Sequence, residues 1–264
     1  MAKRDLYLGK PILNAAGFLG YYPHGNNANA IQRLTDWGGL AALVTDPISY
    51  LPRRTPEQAA LIETDGGSLV HNGVPNAGFW QTLKVAGKKW ENSPLPIIVH
   101  LMGEDVERAR KMVAALERME NVMAVELGLP LYRPEMLNAW LEAMPALSVE
   151  MPVIANLPMQ LAALYGERFA RKGASAISLR PPRGRVKMAE GASAEQPAAQ
   201  TETISVAGRL YGPQVYPMAA EVVFQLAKAG LPVIAGGGYD SAEKIGEAMR
   251  LGALAVQVDL PCWW

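Results

Sequence analysis

Short runs of consecutive apolar residues alternate along this chain with longer runs in which apolar positions recur every three or four residues. The short runs are Ile12–Ala16, Ala41–Thr45, Pro96–Leu101, Met123–Leu127, Pro152–Ala155, Ala176–Leu179, Pro232–Ala235 and Ala255–Val258. Being apolar at successive rather than alternate positions, they predict strands covered on both faces, as in a parallel sheet. The longer runs predict amphipathic helices over Asn26–Trp37, Ala77–Trp90, Glu104–Met119, Glu135–Ala143, Leu161–Lys172, Pro217–Ala229 and Ser241–Leu251. The first of these ends at Gly38-Gly39, a pair suited to a helix C-terminus. Ahead of the first strand, LYLGKP (Leu6–Pro11) is read as a small hairpin beneath the sheet.

Eight strands and seven helices in 264 residues favour one closed α/β structure, a TIM (β/α)8-type barrel, over an open doubly wound sheet of the same period. No internal repeat or linker divides the chain, so residues 1–264 are read as a single barrel domain. Two long connections interrupt the alternation. Residues 47–76 are rich in Pro and Gly, and connections of that length usually carry function. Arg180–Val206 is rich in Ala, Gly, Arg and Glu and is expected to be a mobile loop. After the last strand only Asp259–Trp264 (DLPCWW) follows, where the period calls for an eighth helix. The flank so exposed is expected to be covered by Trp263 and Trp264 or by a second subunit, and a homodimer is the favoured reading.

Composition narrows the function classes. With 25 basic and 25 acidic residues, the chain has no electrostatic footprint for nucleic acid or an anionic membrane. Cys262 is the only cysteine, which excludes a disulfide framework or a multi-cysteine metal site within one chain. No apolar run approaches the ~20 residues of a membrane span, and the N-terminus lacks an apolar signal core. A cytoplasmic location is expected.

Candidate chemistry clusters at the predicted strand ends, where barrels place their sites. Pro232–Ala235 runs into Gly236, Gly237 and Gly238, and Ser241 starts the next helix; such an exit can cradle a phosphate. Asp46 and His100 close the second and third strands and are candidates for proton handling, with Asn156 as an amide contact after the fifth. Asp46 has an alternative reading as an ion-pair partner of Arg180, Arg183 or Arg185. His71 lies in the first long connection beside Asn76, and the run RPPRGR (Arg180–Arg185) suits bidentate capture of an anionic small-molecule substrate. His24 is read as a turn residue. No carboxylate–histidine spacing supports a metal.

The order of motifs resembles that of the FMN-dependent dihydroorotate dehydrogenases, class 1 in particular, from Leu8 to Val258. The carrying segments are LGKPILNAAGFLG, NGVPNAG (Asn72–Gly78), VMAVELGLP (Val122–Pro130), LYGPQVYP (Leu210–Pro217) and PVIAGGGYDSAEKIGEAMRLGALAVQV. The resemblance implies a barrel with FMN at the strand ends, held by Ala15, Ala16, Gly17, Gly212, Gly236, Gly237 and Gly238. It implies catalytic roles near Asp46, His100 and Asn156, and substrate contacts at His71, Asn76 and Arg180.

The family's own substrate machinery is not carried over. Its cysteine base falls on Leu131, and its substrate asparagines fall on Val70, Gly128, Arg133 and Arg180. Each lost partner of a buried polar ligand costs about 1–3 kcal/mol, so dihydroorotate loses its recognition. Two lysines of the family are Asp46 and Asn156 here. Its Gly-Thr after the last strand is Asp259-Leu260, and a carboxylate about 4 Å from a phosphate costs on the order of 4 kcal/mol at an effective dielectric of 20. The expectation is a divergent FMN-binding oxidoreductase acting on a substrate other than dihydroorotate. The alternative is a non-flavin phosphate-ligand enzyme of the lyase or synthase type, or a catalytically inactive barrel retained for binding.

Overall fold

The computed structural model describes residues 5–22, 32, 39–130, 134–189 and 203–259. Outside the described residues lie His24, Leu131, Arg133, Cys262, Trp263, Trp264 and, apart from Gln32, the helix expected over Asn26–Trp37.

In chain order the strands are β1 (Ile12–Asn14), β2 (Leu40–Val44), β3 (Ala60–Thr64), β4 (Gly67–His71), β5 (Ile97–Met102), β6 (Val122–Gly128), β7 (Val153–Pro158), β8 (Ala176–Arg180), β9 (Arg183–Ala189), β10 (Thr203–Tyr211), β11 (Val233–Gly236) and β12 (Ala255–Val258). Six helices are described: α1 (Phe79–Glu91), α2 (Val106–Leu116), α3 (Pro134–Ala143), α4 (Met159–Arg171), α5 (Tyr216–Lys228) and α6 (Ala242–Arg250). Eight of the strands close into a barrel in the order β1-β12-β11-β8-β7-β6-β5-β2, every pair parallel. These are the eight strands predicted from the apolar runs. The largest difference is at β7, which continues to Pro158 rather than Ala155.

The barrel closes because its interior is filled by alternating bulk. Leu13, Val44, Ile98, Ile154 and Ile234 share the lower layer with Ala42, Ala124, Ala176 and Ala255, all fully or almost fully buried. Large residues beside small ones fit the tapered interior of an eight-stranded barrel. Leu6 and Leu8 pack against this layer and no strand forms over Leu6–Pro11. The expected hairpin is therefore an irregular segment whose leucines seal the barrel floor. A second, larger core lies between the outer faces of the strands and the helices, around Phe79, Trp90, Phe169 and Val223. Helix starts follow local capping: Asp105 accepts from Arg108 N before α2, and Ser241 accepts from Lys244 N before α6. Among the described residues no helix is long and apolar enough to cross a membrane.

The two long connections differ from expectation. Instead of irregular loops, they contribute β3, β4, β9 and β10, which form an antiparallel sheet in the order β3-β4-β10-β9. Asp65 and Gly66, the latter at φ 83°, make the two-residue turn between β3 and β4, a pairing that favours hairpins. This sheet caps the carboxyl end of the barrel. The rings of Phe18 and Tyr211 meet edge to face at 5.4 Å, and Gln214 donates to Thr64 at 3.2 Å, tying the cap to the rim.

Candidate active site at the carboxyl end of the barrel

Two positions beyond the apolar layer, the inward-facing residues become polar. β5 presents His100, β6 Glu126, β7 Asn156, β8 Ser178 and β12 Gln257, all buried. The parallel register sets His100 beside Glu126 and Asn156 beside Ser178. His100 Nδ1 lies 2.6 Å from Glu126 Oε2, and Gln257 Nε2 donates to Glu126 Oε1 at 2.6 Å. The Ser178 hydroxyl also bonds Glu126, and Asn156 Nδ2 donates to Ser178 Oγ at 2.9 Å.

A lone carboxylate inside a barrel would be costly, so this one is surrounded by donors. Burial pushes the Glu126 carboxyl up, but bonds from His100, Ser178 and Gln257 outweigh it and hold the group below its ordinary value. With Glu126 ionised, Nδ1 of His100 carries the proton of their contact. Nε2 is then the exchangeable nitrogen, and it points at Gly128: a Cβ on that glycine would lie 2.7 Å away. An imidazole oriented by a carboxylate at one nitrogen is equipped for general acid–base work at the other.

The network also fixes the Asn156 amide. Ser178 gives its only hydroxyl hydrogen to Glu126, so Ser178 Oγ accepts from Asn156 Nδ2. Asn156 Oδ1 is buried and has no hydrogen-bond partner among the described residues. Asn156 lines a crevice of about 20 Å³ with Ala15, Ala16, Gly236, Gly237, Arg180 and Asp259, room for about one water-sized group. Arg180 Nη2 donates to Leu129 O at 2.6 Å. Burial and the neighbouring Arg209 pull the Arg180 guanidinium down to about 9, which leaves it cationic at neutral pH.

Between rim and cap lies a cavity of about 510 Å³, within the usual range for small-molecule sites. Its barrel side is Ala16, Gly17, Phe18, Pro47 and Met102; its cap side includes Leu61, Ser68, Val70, Arg183, Arg209 and Tyr211. Alternation along the cap strands explains the second set, since Leu61, Val70, Arg209 and Arg183 pair across the sheet and share one face. Among the described residues no Asp or Glu lines this cavity. It shares Ala16, Phe18, Arg209 and Tyr211 with the crevice.

The structure gathers most of the predicted residues, though not all into one place. His100, Asn156, Arg180, Ala15, Ala16, Gly236 and Gly237 line the crevice, while Gly17 and His71 line the cavity. Asp46 lines neither. It accepts from Gly20 N at 3.1 Å and bonds back to Gly20 O through its own amide, bracing the turn after β1. It forms no ion pair with Arg180, Arg183 or Arg185. Asn76 also braces: its Oδ1 accepts from Ser49 and Gly78, and its Nδ2 donates to Val74 O. Gly212 lies against the cap turn, where a Cβ would be 2.5 Å from Gly66 O. Gly238 is packed against Tyr216 N. Sequence reasoning missed Glu126, Ser178, Gln257, Arg209 and Tyr211. A signal existed for the first three: Glu126 and Gln257 are the polar residues of otherwise apolar strands, and Ser178 interrupts the apolar run of β8 ahead of Arg180.

A parallel barrel with a polar layer at its carboxyl end and a cavity beneath a cap defines a β/α-barrel protein of the rim-site class. No family model matches the chain. It is 26% identical over 267 residues to the catalytic subunit of dihydroorotate dehydrogenase B (NAD(+)) from Maridesulfovibrio salexigens, covering 96% of this chain and 84% of that one. It is 25% identical over 269 residues to dihydroorotate dehydrogenase A (fumarate) from Limosilactobacillus reuteri, covering 96% and 83%. A putative dihydroorotate dehydrogenase A (fumarate) from Aeropyrum pernix is 27% identical over 271 residues, covering 96% and 82%. Among solved structures, DHODH from Eimeria tenella in complex with ferulenol has the same fold, with a TM-score of 0.63 at 14% identity, covering 94% of this chain and 75% of that one. By sequence the chain is a divergent relative of these dihydroorotate dehydrogenases, and it shares the fold of the solved one.

The FMN implied by that likeness can be tested against the glycine turn. A Cβ on Gly236 would lie 2.4 Å from Leu179 O, and one on Gly238 2.6 Å from Tyr216 N. The glycines are thus demanded by the chain's own close packing. With Asp259 beside them in a crevice of about 20 Å³, a flavin phosphate does not fit there. The larger cavity does fit a flavin: it has the volume, an apolar bed at Ala16–Phe18, Pro47 and Met102, and no carboxylate.

Proposed function

We propose that the chain is an oxidoreductase of the flavin type that acts on a small molecule other than dihydroorotate. The observation carrying this reading is the buried His100–Glu126 pair beside a 510 Å³ cavity bounded by Ala16, Gly17 and Phe18. FMN, when bound, supplies the hydride-accepting ring. The chain's own residues supply the rest. Ala16, Gly17, Phe18 and Pro47 form the bed, and the cap sheet screens the cavity from water. Glu126 holds His100 so that Nε2 takes or gives the substrate proton, and Asn156 Oδ1 accepts a hydrogen bond from substrate. Asp46 serves the turn after β1.

A substrate different from the family's is supported at Gly128. A side chain there would meet His100 Nε2 at 2.7 Å and Arg180 Nη1 at 3.5 Å, so the family's asparagine has no room. The second reading is a flavin-free enzyme doing acid–base chemistry, or a binding barrel. The packed glycine turn and Asp259 favour it.

Absorbance of natively purified protein separates the two. A flavin spectrum is expected, and Gly17→Trp, which fills the cavity bed, is expected to remove it. A colourless protein that takes up no added FMN sinks the flavin reading. The homodimer is checked by sedimentation of the native protein, a monomer rejecting it.

A further inference from the structure

Three cations converge where the crevice meets the cavity. Arg183 and Arg209 are directly paired residues of β9 and β10, and both line the cavity; Arg209 also lines the crevice, beside Arg180. Like charges directly opposite on antiparallel strands oppose pairing. No salt bridge among the described residues engages any of the three, whereas Arg53, which also lines the cavity, is paired with Glu104 at 2.6 Å. The nearest structural partners are carbonyls: Arg180 to Leu129 O, and Arg183 to Ala207 O at 3.4 Å. Burial lowers the Arg180 guanidinium most, and Arg209 and Arg183 lower it further against the opposing pull of Glu126, so the three cations are close enough to feel one another. Glu126 and Asp259 lie on the crevice side of Arg180, but among the described residues no acid lines the cavity side, where Arg183 and Arg209 stand face to face; that side is arranged for an anion that enters from solution.

We propose that Arg180, Arg183 and Arg209 form a receptor for an oxyanion, a carboxylate or phosphate group of the ligand that occupies the cap cavity. Guanidiniums bind either group through paired N–H···O bonds, so the receptor fixes one end of the ligand. The body of the ligand then runs from the arginines past Tyr211 toward the crevice, where a hydrogen-bond donor on it reaches Asn156 Oδ1. The substrate class is therefore a small organic acid or phosphate ester bearing an N–H or O–H group. This deepens the function proposed above in its substrate, and the receptor itself stands without the flavin.

The test titrates natively purified protein with inorganic phosphate and with succinate, each against sodium chloride of equal ionic strength, following the thermal midpoint. The wild type is expected to be stabilised by at least one of the two beyond chloride, and Arg183→Gln/Arg209→Gln is expected to lose that response at least tenfold in apparent affinity. Arg209→Met without ligand is expected to keep or raise the midpoint, because it relieves repulsion; a residue that only packs would lower it. If the wild type carries flavin, loss of that flavin in the double variant also supports the receptor, the bound oxyanion then being the flavin's phosphate. Chloride matching both anions, with flavin content unchanged in the double variant, overturns the proposal. So does a folded double variant that responds to the anions as the wild type does. A colourless protein that still responds to anions keeps the receptor while losing the flavin reading.

Discussion

Glu126 concentrates much of the site's energetics in one buried charge. His100, Ser178 and Gln257 all turn toward it, and its compensation depends on all three. Removing a partner leaves that charge exposed to low dielectric. His100→Ala is therefore expected to cost about 3–5 kcal/mol, and Glu126→Gln about 1–3 kcal/mol. His100→Leu combined with Glu126→Leu should cost less than the sum of the singles, as coupled buried pairs do. Urea unfolding of the set checks this, and strict additivity would show that the pair is not coupled. Acid adds a second reading of the same group. The folded value of Glu126 is lowered from 4.5, so its contribution is complete above that pH and is lost as pH falls through the folded value. Glu117, which accepts from Ser148 and from the amides of Val149 and Glu150, is lowered too and acts in the same direction. Stability should be flat near neutrality and decline below about 4.5, more shallowly in Glu126→Gln.

At the level of elements, the cap depends on glycines that permit close approach to the rim. Gly212, at φ 128°, lies where β10 leaves the cap, against Gly66 and Gly67 of the β3–β4 turn. Gly212→Ala is expected to loosen the cap while leaving the barrel intact. Hydrogen exchange should quicken in β3, β4 and β10 and stay unchanged in β5 to β8; equal quickening throughout would count against a separable cap. The same division explains what the sequence made legible. Barrel strands such as Ile97–Leu101 are buried on both faces, so burial writes a continuous apolar run. Cap strands have one solvated face and mixed composition: Ala60–Thr64 includes Glu63, and Arg183–Ala189 reads as a basic stretch. Asp65-Gly66 was the available hairpin signal. The rim residues were legible as strand ends, but register decides which of them turn inward. It put His100 and Asn156 in the site, turned Asp46 toward Gly20, and brought in Glu126, which sits two residues after Ala124 as His100 sits two after Ile98.

Across the whole molecule, the apolar layer and the polar layer occupy one barrel at different heights, the lower packed with aliphatic side chains and the upper carrying the polar groups of the candidate site. Leu6 and Leu8 seal the floor, so access to His100 and Asn156 runs through the cap end. The polar layer, the crevice and the arginines thus lie at the same end of the barrel, beneath the cap.

The cap also joins distant parts of the chain. Its strands come from two excursions far apart in the chain, and the Gln214–Thr64 bond that helps fasten them spans 150 positions. Closing so long a loop in an open chain carries an entropy cost that grows with its length, as does closure of the barrel itself, where Ile12 of β1 pairs with Val256 of β12. The barrel brings the two excursions within reach of each other. A ligand arriving under the cap therefore stabilises the docking of two excursions that are distant in the chain.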